Sequence, residues 1–545
     1  MAQEGLGNAS EVESSGPSST SGSVDEQTPL FSSPFSPGSL FNSASQTTPS
    51  SPWVKSSTNF GKRRTLGVAA VAFITYFNVS GGPWGSEEFV SDAGPLPGFV
   101  GLIVFPLVWG LPLALVTAEL SSAFPDDGGY SLWVGEAFGE FWAFQESYWS
   151  WGSGVIDNAL YPNLVFQISM NIFGTKDNAE WLGDPFNRYL CKLALAIVFT
   201  IPNIFSVLYM GKFMKWFALF VIAPFFVFAA MCVPHAVVER IWEPPPGGYP
   251  TTLDGGWLDL ISVLYWNFSG FDCASTFAGE VKNPGRTYPL ALVFALFMTI
   301  LSYALPLLLG VMATDPSTVT NWGNDPGECS FSCIVESIGG HWLSVWILLS
   351  SLFGNMAMYI AEMFEDSWQL YGMSESGMLP SFVGYRHPKY NTPLNAIGIN
   401  FVLIAGLVYF DFSDNLAINN FFSCASAMLE MVAFLSLRTS QPGLKRPYKI
   451  PFGTLGSFLF LVTPLLLGSL VLYSGCMNSW LSFWMNMGGL VFGVALYGLL
   501  KRFCGMKYIY NPKRARLLSE QDNRAEADLL TEQLLPSVEK GGPSN

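Results

Sequence analysis

Carboxylates set inside long apolar stretches are the residues of this chain that could do chemistry. Asp272 stands six residues after Trp266 in WLDLISVLYWNFSGFDCASTFAGEVKNP, residues 257–284, directly behind the interruption Asn267-Phe268-Ser269-Gly270. Glu146 and Asp157 are eleven residues apart, so at ~100° per residue they lie nearly on one helical face. Glu362, Glu365 and Asp366 have helical-neighbour spacing, and Glu430 adds a further acid. An ionisable side chain at membrane depth marks a binding site or an ion path, and irregular backbone survives there only where it lines a cavity. The chemistry on offer is therefore cation binding and proton carriage. No nucleophile–base pair, metal-ligand cluster or phosphate loop accompanies the acids, which argues against an enzyme, and no cofactor is expected.

The elements that position these acids are long and apolar. Of 545 residues, 50% are hydrophobic, 15% aromatic and only 12% charged, against roughly 25% charged in soluble domains. Apolar stretches run over 65–93, 96–124, 138–173, 189–210, 212–234, 257–282, 289–313, 341–372, 393–411, 415–438, 453–474 and 478–503. Each reaches the ~20 residues a bilayer span requires, so the expected fold is an all-α integral membrane protein with twelve transmembrane helices. The first stretch is broken at Ser80-Gly81-Gly82-Pro83 and the sixth at Ser269-Gly270, five spans apart. Interruptions at corresponding positions of two halves point to inverted repeats with a site between them near the midplane.

Charge placement sets the orientation. With the amino terminus inside, 22 of the 26 Lys and Arg fall on the cytoplasmic side, as the positive-inside rule demands. Lys176, Arg188 and Arg240 fall outside, and Lys192 sits at the outer end of span four. Both termini are then cytoplasmic, which an even number of spans requires. The net charge of −15 resides largely in tails and loops and identifies no partner. Residues 1–60 form a polar, Ser-, Pro- and Gly-rich arm without a signal peptide, expected to be disordered. Spans one to ten occupy 61–438 and spans eleven and twelve 439–504, with a cytoplasmic tail over 505–545. Eight cysteines show no metal-ligand spacing; Cys329 and Cys333, in a loop placed outside, could form a disulfide.

Several stretches, in order along the chain, resemble the amino acid–polyamine–organocation superfamily. They are VWGLPLALVTAELSSAFPDDGGYSLWV (108–134), GEVKNPGRTYPLAL (279–292) and SWQLYGMSESGMLP (367–380). Together with WGSGVIDNALYP (151–162), they are similar above all to plant polyamine uptake transporters, a branch of the L-type amino acid transporter family. The resemblance covers roughly 60–505 and implies a LeuT-like fold of five plus five inverted spans with discontinuous helices 1 and 6, two extra helices, and alternating access. In related bacterial amine and arginine exchangers, a tryptophan before the span-six break stacks on the cationic substrate and an acid follows six residues later; Trp266 and Asp272 occupy those places. Alignment back from Gly377-Met378-Leu379-Pro380 puts Glu362 where such relatives carry an apolar or aromatic residue.

A di- or triamine needs separated anions, aromatic faces for its ammonium groups and apolar walls for its methylenes, and this chain supplies all three. The acids cannot all share one pocket as charged groups, because unpaired carboxylates in low dielectric neutralise. The expected substrate site ranks Asp272 first and Glu362 and Asp157 next, with Trp266, Ser269, Gly270, Gly81, Gly82, Asn158 and Tyr359 around them. Glu365, Glu146 and Glu430 are second-rank acids or proton carriers. Glu119 and Glu280, in family signatures, are expected to anchor helices. The expected activity is secondary import of polyamines, coupled to protons and located in the plasma membrane, with lipid and a small polycation as partners and no nucleic acid. The rival readings are a neutral or cationic amino acid transporter of the same fold and a non-transporting sensor. Residues 174–188 lack the cysteine that heterodimeric relatives use to bind a glycoprotein subunit.

Overall fold

The computed structural model describes residues 64–508 apart from 84–85, 88–89, 91–93, 174–180, 182–183, 206, 245–247, 250–256, 316–321, 323–330, 410–411 and 478. The arm expected over 1–60, Cys329 and all of the tail beyond residue 508 lie outside the described residues. Cys333 is disulfide-bonded. The described chain is helical, with two isolated bridges, Leu66 to Val281 and Asp127 to Phe277.

Its helices, in chain order, are α1 Val68–Val79, α2 Pro95–Ala123, α3 Tyr130–Phe138, α4 Glu140–Phe173 and α5 Pro185–Thr200. There follow α6 Val207–Cys232, α7 Leu258–Asn267, α8 Pro284–Ala313, α9 Phe331–Gly339 and α10 His341–Glu375. The last are α11 Leu394–Leu407, α12 Phe412–Ser440, α13 Thr454–Met477 and α14 Trp480–Phe503. Seven helices are long and apolar enough to cross a membrane, lying in α2, α6, α8, α10, α12, α13 and α14. α4 has the length, 34 residues, but carries Glu140, Glu146 and Asp157. α1, α5, α7 and α11 are shorter, with 12, 16, 10 and 14 residues.

Large apolar side chains face outward, while acids lie buried within an otherwise hydrophobic core. Leu455, Phe503 and Trp480 are 72%, 74% and 80% exposed, while Glu146, Asp366 and Glu430 are fully buried. A bilayer resolves this inversion, since lipid tails are as apolar as these side chains.

Two helices stop where the sequence is broken. α1 ends at Val79, and Ser80 then receives the Gly82 N–H at 3.2 Å. α7 ends at Asn267, where Asn267 donates to the Val263 carbonyl (2.9 Å) and Ser269 to that of Tyr265 (2.8 Å). Short polar side chains thus bond back to backbone groups at the two helix ends. Beyond the second break no regular helix resumes; the chain runs through 3₁₀ turns at Cys273–Ser275 and Ala278–Glu280. The backbone there bonds to neighbours instead, Gly128 N–H to the Thr276 carbonyl (2.8 Å) and Gly279 N–H to Asp127 Oδ1 (2.9 Å).

The breaks meet each other. Gly270 has φ +93°, and a Cβ there would lie 2.8 Å from the Asn78 carbonyl oxygen. α1 packs on α6, α8 and α10, while α4 runs against both α10 and α12. The acids of α4, α10 and α12 are thereby turned toward the breaks.

Gly270→Ala combines an unfavourable φ with a backbone clash, a cost of about 1–3 kcal/mol. Thermal unfolding of the detergent-solubilised protein should show a lower midpoint; an unchanged midpoint would mean that the break does not need this close approach.

Candidate functional site

One cavity lies between the two breaks and the flanking helices. Asn78 of α1, Ser150, Ser153 and Asp157 of α4, and Trp266, Ser269, Gly270 and Asp272 of the α7 region line it, with Glu362 and Glu365 of α10 and Asn419 of α12. These residues come from five elements, and the acids reach the cavity because α4 and α10 pack side by side along much of their length.

Asp157 is the best-held acid. Trp266 Nε1 and Asn419 Nδ2 donate to its Oδ1 at 2.9 and 3.1 Å, and the Tyr161 hydroxyl donates to Oδ2 at 2.8 Å. Three donors on one carboxyl stabilise its charged form by hydrogen bonding. Trp266 therefore has a second duty besides any stacking, because its N–H is committed to Asp157. Glu362 is an electrostatic neighbour of Asp157, and its Oε2 is buried with no partner.

Two further carboxyl pairs complete the set. Asp272 and Glu430 of α12 are electrostatic neighbours, and both Glu430 carboxyl oxygens are buried without a hydrogen-bond partner. Behind them Glu146 accepts from Ser426 at 3.0 Å and Ser147 at 3.4 Å. Glu365 contacts Asp366, whose Oδ2 accepts from Asn158 Nδ2 at 3.0 Å. Carboxylates crowded together in low dielectric repel one another, which favours protons or a cationic solute among them. Among the described residues, no Lys or Arg forms an ion pair with any of these seven acids.

Arginines pair with acids elsewhere. Glu119 is bound by Arg438 and by Arg446 (2.9 Å), and also accepts the Ile450 N–H at 2.8 Å, which pins the loop after α12 onto α2. Arg386 bridges Asp127 Oδ2 (3.4 Å) and Glu280 Oε1 (3.5 Å), its guanidinium 4.6 Å and 4.1 Å from the ring centres of Trp368 and Tyr371. That cluster ties together the α2–α3 turn, the chain after α7 and the α10–α11 loop. Both acids read from sequence as anchors are anchors.

Of the expected site residues, Asp157, Trp266, Ser269, Gly270, Asp272, Glu362 and Glu365 line the cavity. Glu146 and Glu430 stand behind that lining. Asn158 faces Asp366, and Tyr359 is bonded to Thr200 at 2.8 Å. Gly81 and Gly82 lie in the packing between helices: a Cβ at Gly81 would meet Met358 of α10, and one at Gly82 would meet Val221 of α6. Sequence reasoning missed Asn78 and Asn419. Asn78 is buried with neither side-chain atom partnered; its polar type in the apolar α1, two residues before the break, was the available signal. For Asn419 the signal was the polar spacing Asn415, Asn419, Ser423 in span ten.

Apolar helices around a buried, acid-lined cavity between broken helices define an integral membrane transporter of small solutes, not an enzyme. The family model for amino acid permeases matches residues 66–495, and the chain belongs to that family. Polyamine transporter PUT1 of Oryza sativa subsp. japonica is 37% identical over 412 residues, 75% of this chain and 74% of its own length. Polyamine transporter RMV1 of Arabidopsis thaliana is 35% identical over 443 residues, 81% of this chain and 86% of its own. A probable polyamine transporter of Arabidopsis thaliana is 37% identical over 409 residues, 74% of this chain and 78% of its own.

Trp266→Phe removes a charge-assisted hydrogen bond from Asp157 and should lower stability by about 1.5–3 kcal/mol. Glu362→Gln deletes one buried acid beside Asp157, so its unfolding midpoint at pH 8 should equal or exceed that of the wild type. Thermal unfolding of both variants checks this, and a Glu362→Gln loss as large as that of Trp266→Phe would contradict the pairing.

Proposed function

We propose that this protein is a secondary transporter that imports polyamines by alternating access, coupled to protons. The observation that carries the reading is the meeting of seven buried acids around one cavity with no cationic partner from the described residues. Burying one unpaired charge costs several kcal/mol even after relaxation. A flexible molecule bearing several ammonium groups, or protons in its absence, is the counter-charge such a cavity requires. Trp266 and Tyr265 supply aromatic walls, and an ammonium over an indole face gains ~0.5–2 kcal/mol. The polyamine transporters of rice and Arabidopsis lend support from their likeness over most of the chain.

The transport core is read as ten spans in two inverted sets of five, with α1 and α7 as the broken helices of each set, and α13 and α14 as the two extra spans. Lysine and arginine counts support cytoplasmic termini, and the plasma membrane is the proposed location. In that orientation the Arg386 cluster is a closed inner gate. An amino acid substrate is disfavoured because its carboxylate would enter a cavity already crowded with acids.

Uptake of labelled putrescine, spermidine and leucine by wild type and Asp272→Asn in proteoliposomes tests the proposal. Polyamine uptake should be seen in the wild type, fall at least about tenfold in the variant as expected for loss of a buried charge contact, and decline as external pH rises. Leucine uptake that survives the substitution, with no polyamine signal in either protein, would overturn it.

A further inference from the structure

The hydroxyl of Tyr130, at the start of α3, sits between two acceptors. It lies 2.7 Å from Glu365 Oε1 and 2.5 Å from Gln369 Oε1, and it accepts a hydrogen bond from Ser150 at 2.7 Å. The Gln369 amide cannot turn round, because its Nε2 donates to the Ser147 carbonyl at 3.0 Å. Reversal would set two carbonyl oxygens against each other. A phenol has one proton to donate. If it goes to Glu365, Gln369 Oε1 faces a lone pair at 2.5 Å. If it goes to Gln369, Glu365 must itself be the donor to Tyr130.

From this count we propose that Glu365 holds the transported proton in this closed-inner-gate conformation, with Tyr130 and Gln369 as the positioning residues that make the conformation select the protonated acid. The inference rests on the proton-coupled transport reading above. The bonds then run in one direction: Glu365 donates to Tyr130, Tyr130 to Gln369, and Gln369 to the Ser147 carbonyl. Loss of the Glu365 proton leaves one gap in that chain without a hydrogen, and a buried acceptor pair without one is costly. Glu365 lines the cavity, so its proton has a route to and from the substrate site.

The charged and titratable groups around Glu365 come from every neighbouring element. They are Glu146 of α4, Asp272 and Cys273 after α7, Glu362 and Asp366 of α10 itself, Glu430 of α12, and Tyr130. All but Tyr130 and Cys273 are acids, so an arriving ammonium group near Asp272 makes the Glu365 proton easier to lose. The same short stretch that carries Tyr130 holds the gate. Asp127 binds Arg386, and Gly128 donates its N–H to the Thr276 carbonyl at 2.8 Å. Deprotonation of Glu365 turns the Tyr130 proton to the carboxylate and breaks the Tyr130–Gln369 bond, three residues from Asp127, and so loosens the inner closure once substrate has arrived.

The test uses the full chain in proteoliposomes, comparing spermidine uptake driven by an imposed pH gradient with spermidine counterflow in its absence. Glu365→Gln mimics the protonated acid and can donate to Tyr130. The ratio of its gradient-driven uptake to its own counterflow should fall at least about fivefold, within the usual range of coupling. Tyr130→Phe should keep the stimulation but shift the pH midpoint of uptake by about one unit. The infrared pH-difference spectrum should lose a protonated-carboxyl band in Glu365→Gln that Asp157→Asn retains. Full gradient stimulation in Glu365→Gln, an unmoved midpoint in Tyr130→Phe, or an unchanged infrared band would each overturn the assignment. A wild type with no spermidine counterflow would instead overturn the transport reading beneath it.

Discussion

Seven carboxyl groups buried around one cavity, with no arginine or lysine of the described chain paired to them, form the constraint on which the rest of the structure depends. The described chain does not lack cations. Arg438 and Arg446 neutralise Glu119, and Arg386 neutralises Asp127 and Glu280, all with buried acids at the end of the bundle. Structural acids are paired and cavity acids are not. The difference is one of position, and it leaves an electrostatic deficit that protons and a cationic solute can fill in turn.

The helix breaks follow from the same constraint. An unbroken α1 and α7 would present only side chains to the cavity, and the two helices could not approach as closely as Gly270 and Asn78 do. Once the helices are broken, their freed backbone groups need partners away from water. Ser80, Asn267 and Ser269 supply them locally, and the stretch 127–129 supplies them to the irregular chain after α7. That stretch thereby links the cavity floor to the Arg386 cluster.

Trp266 shows how one residue serves two readings. Its place six residues before Asp272 marked it as a surface for a cation. Its N–H, 2.9 Å from Asp157, also makes it part of the scaffold that fixes an acid 109 positions earlier in the chain. A ring held at its edge is pre-organised for whatever meets its face, which reduces the ordering cost of binding.

Composition and the spacing of apolar runs were enough to make the chain a helical membrane protein, and a carboxylate beside Ser269-Gly270 was enough to mark a cavity. Both signals are local: a break and a charge in hydrocarbon have few physical solutions. Glu119 and Glu280 as anchors were legible for a similar reason, since they stand at the ends of apolar runs. The irregular chain after Asp272 was not legible, because whether its backbone coils into a helix depends on Asp127 and Gly128 arriving as partners. Nor was the position of Gly81, whose role depends on Gly354 and Met358 of a distant helix. The sequence by itself determined which residues are acids at membrane depth and where the helices must break, because those follow from residue type and neighbours along the chain. Only the tertiary structure decided which acids face one another, that Asn419 and Tyr161 hold Asp157, and that one tyrosine proton stands between two acceptors, because hydrogen bonds between helices are set by packing across hundreds of residues.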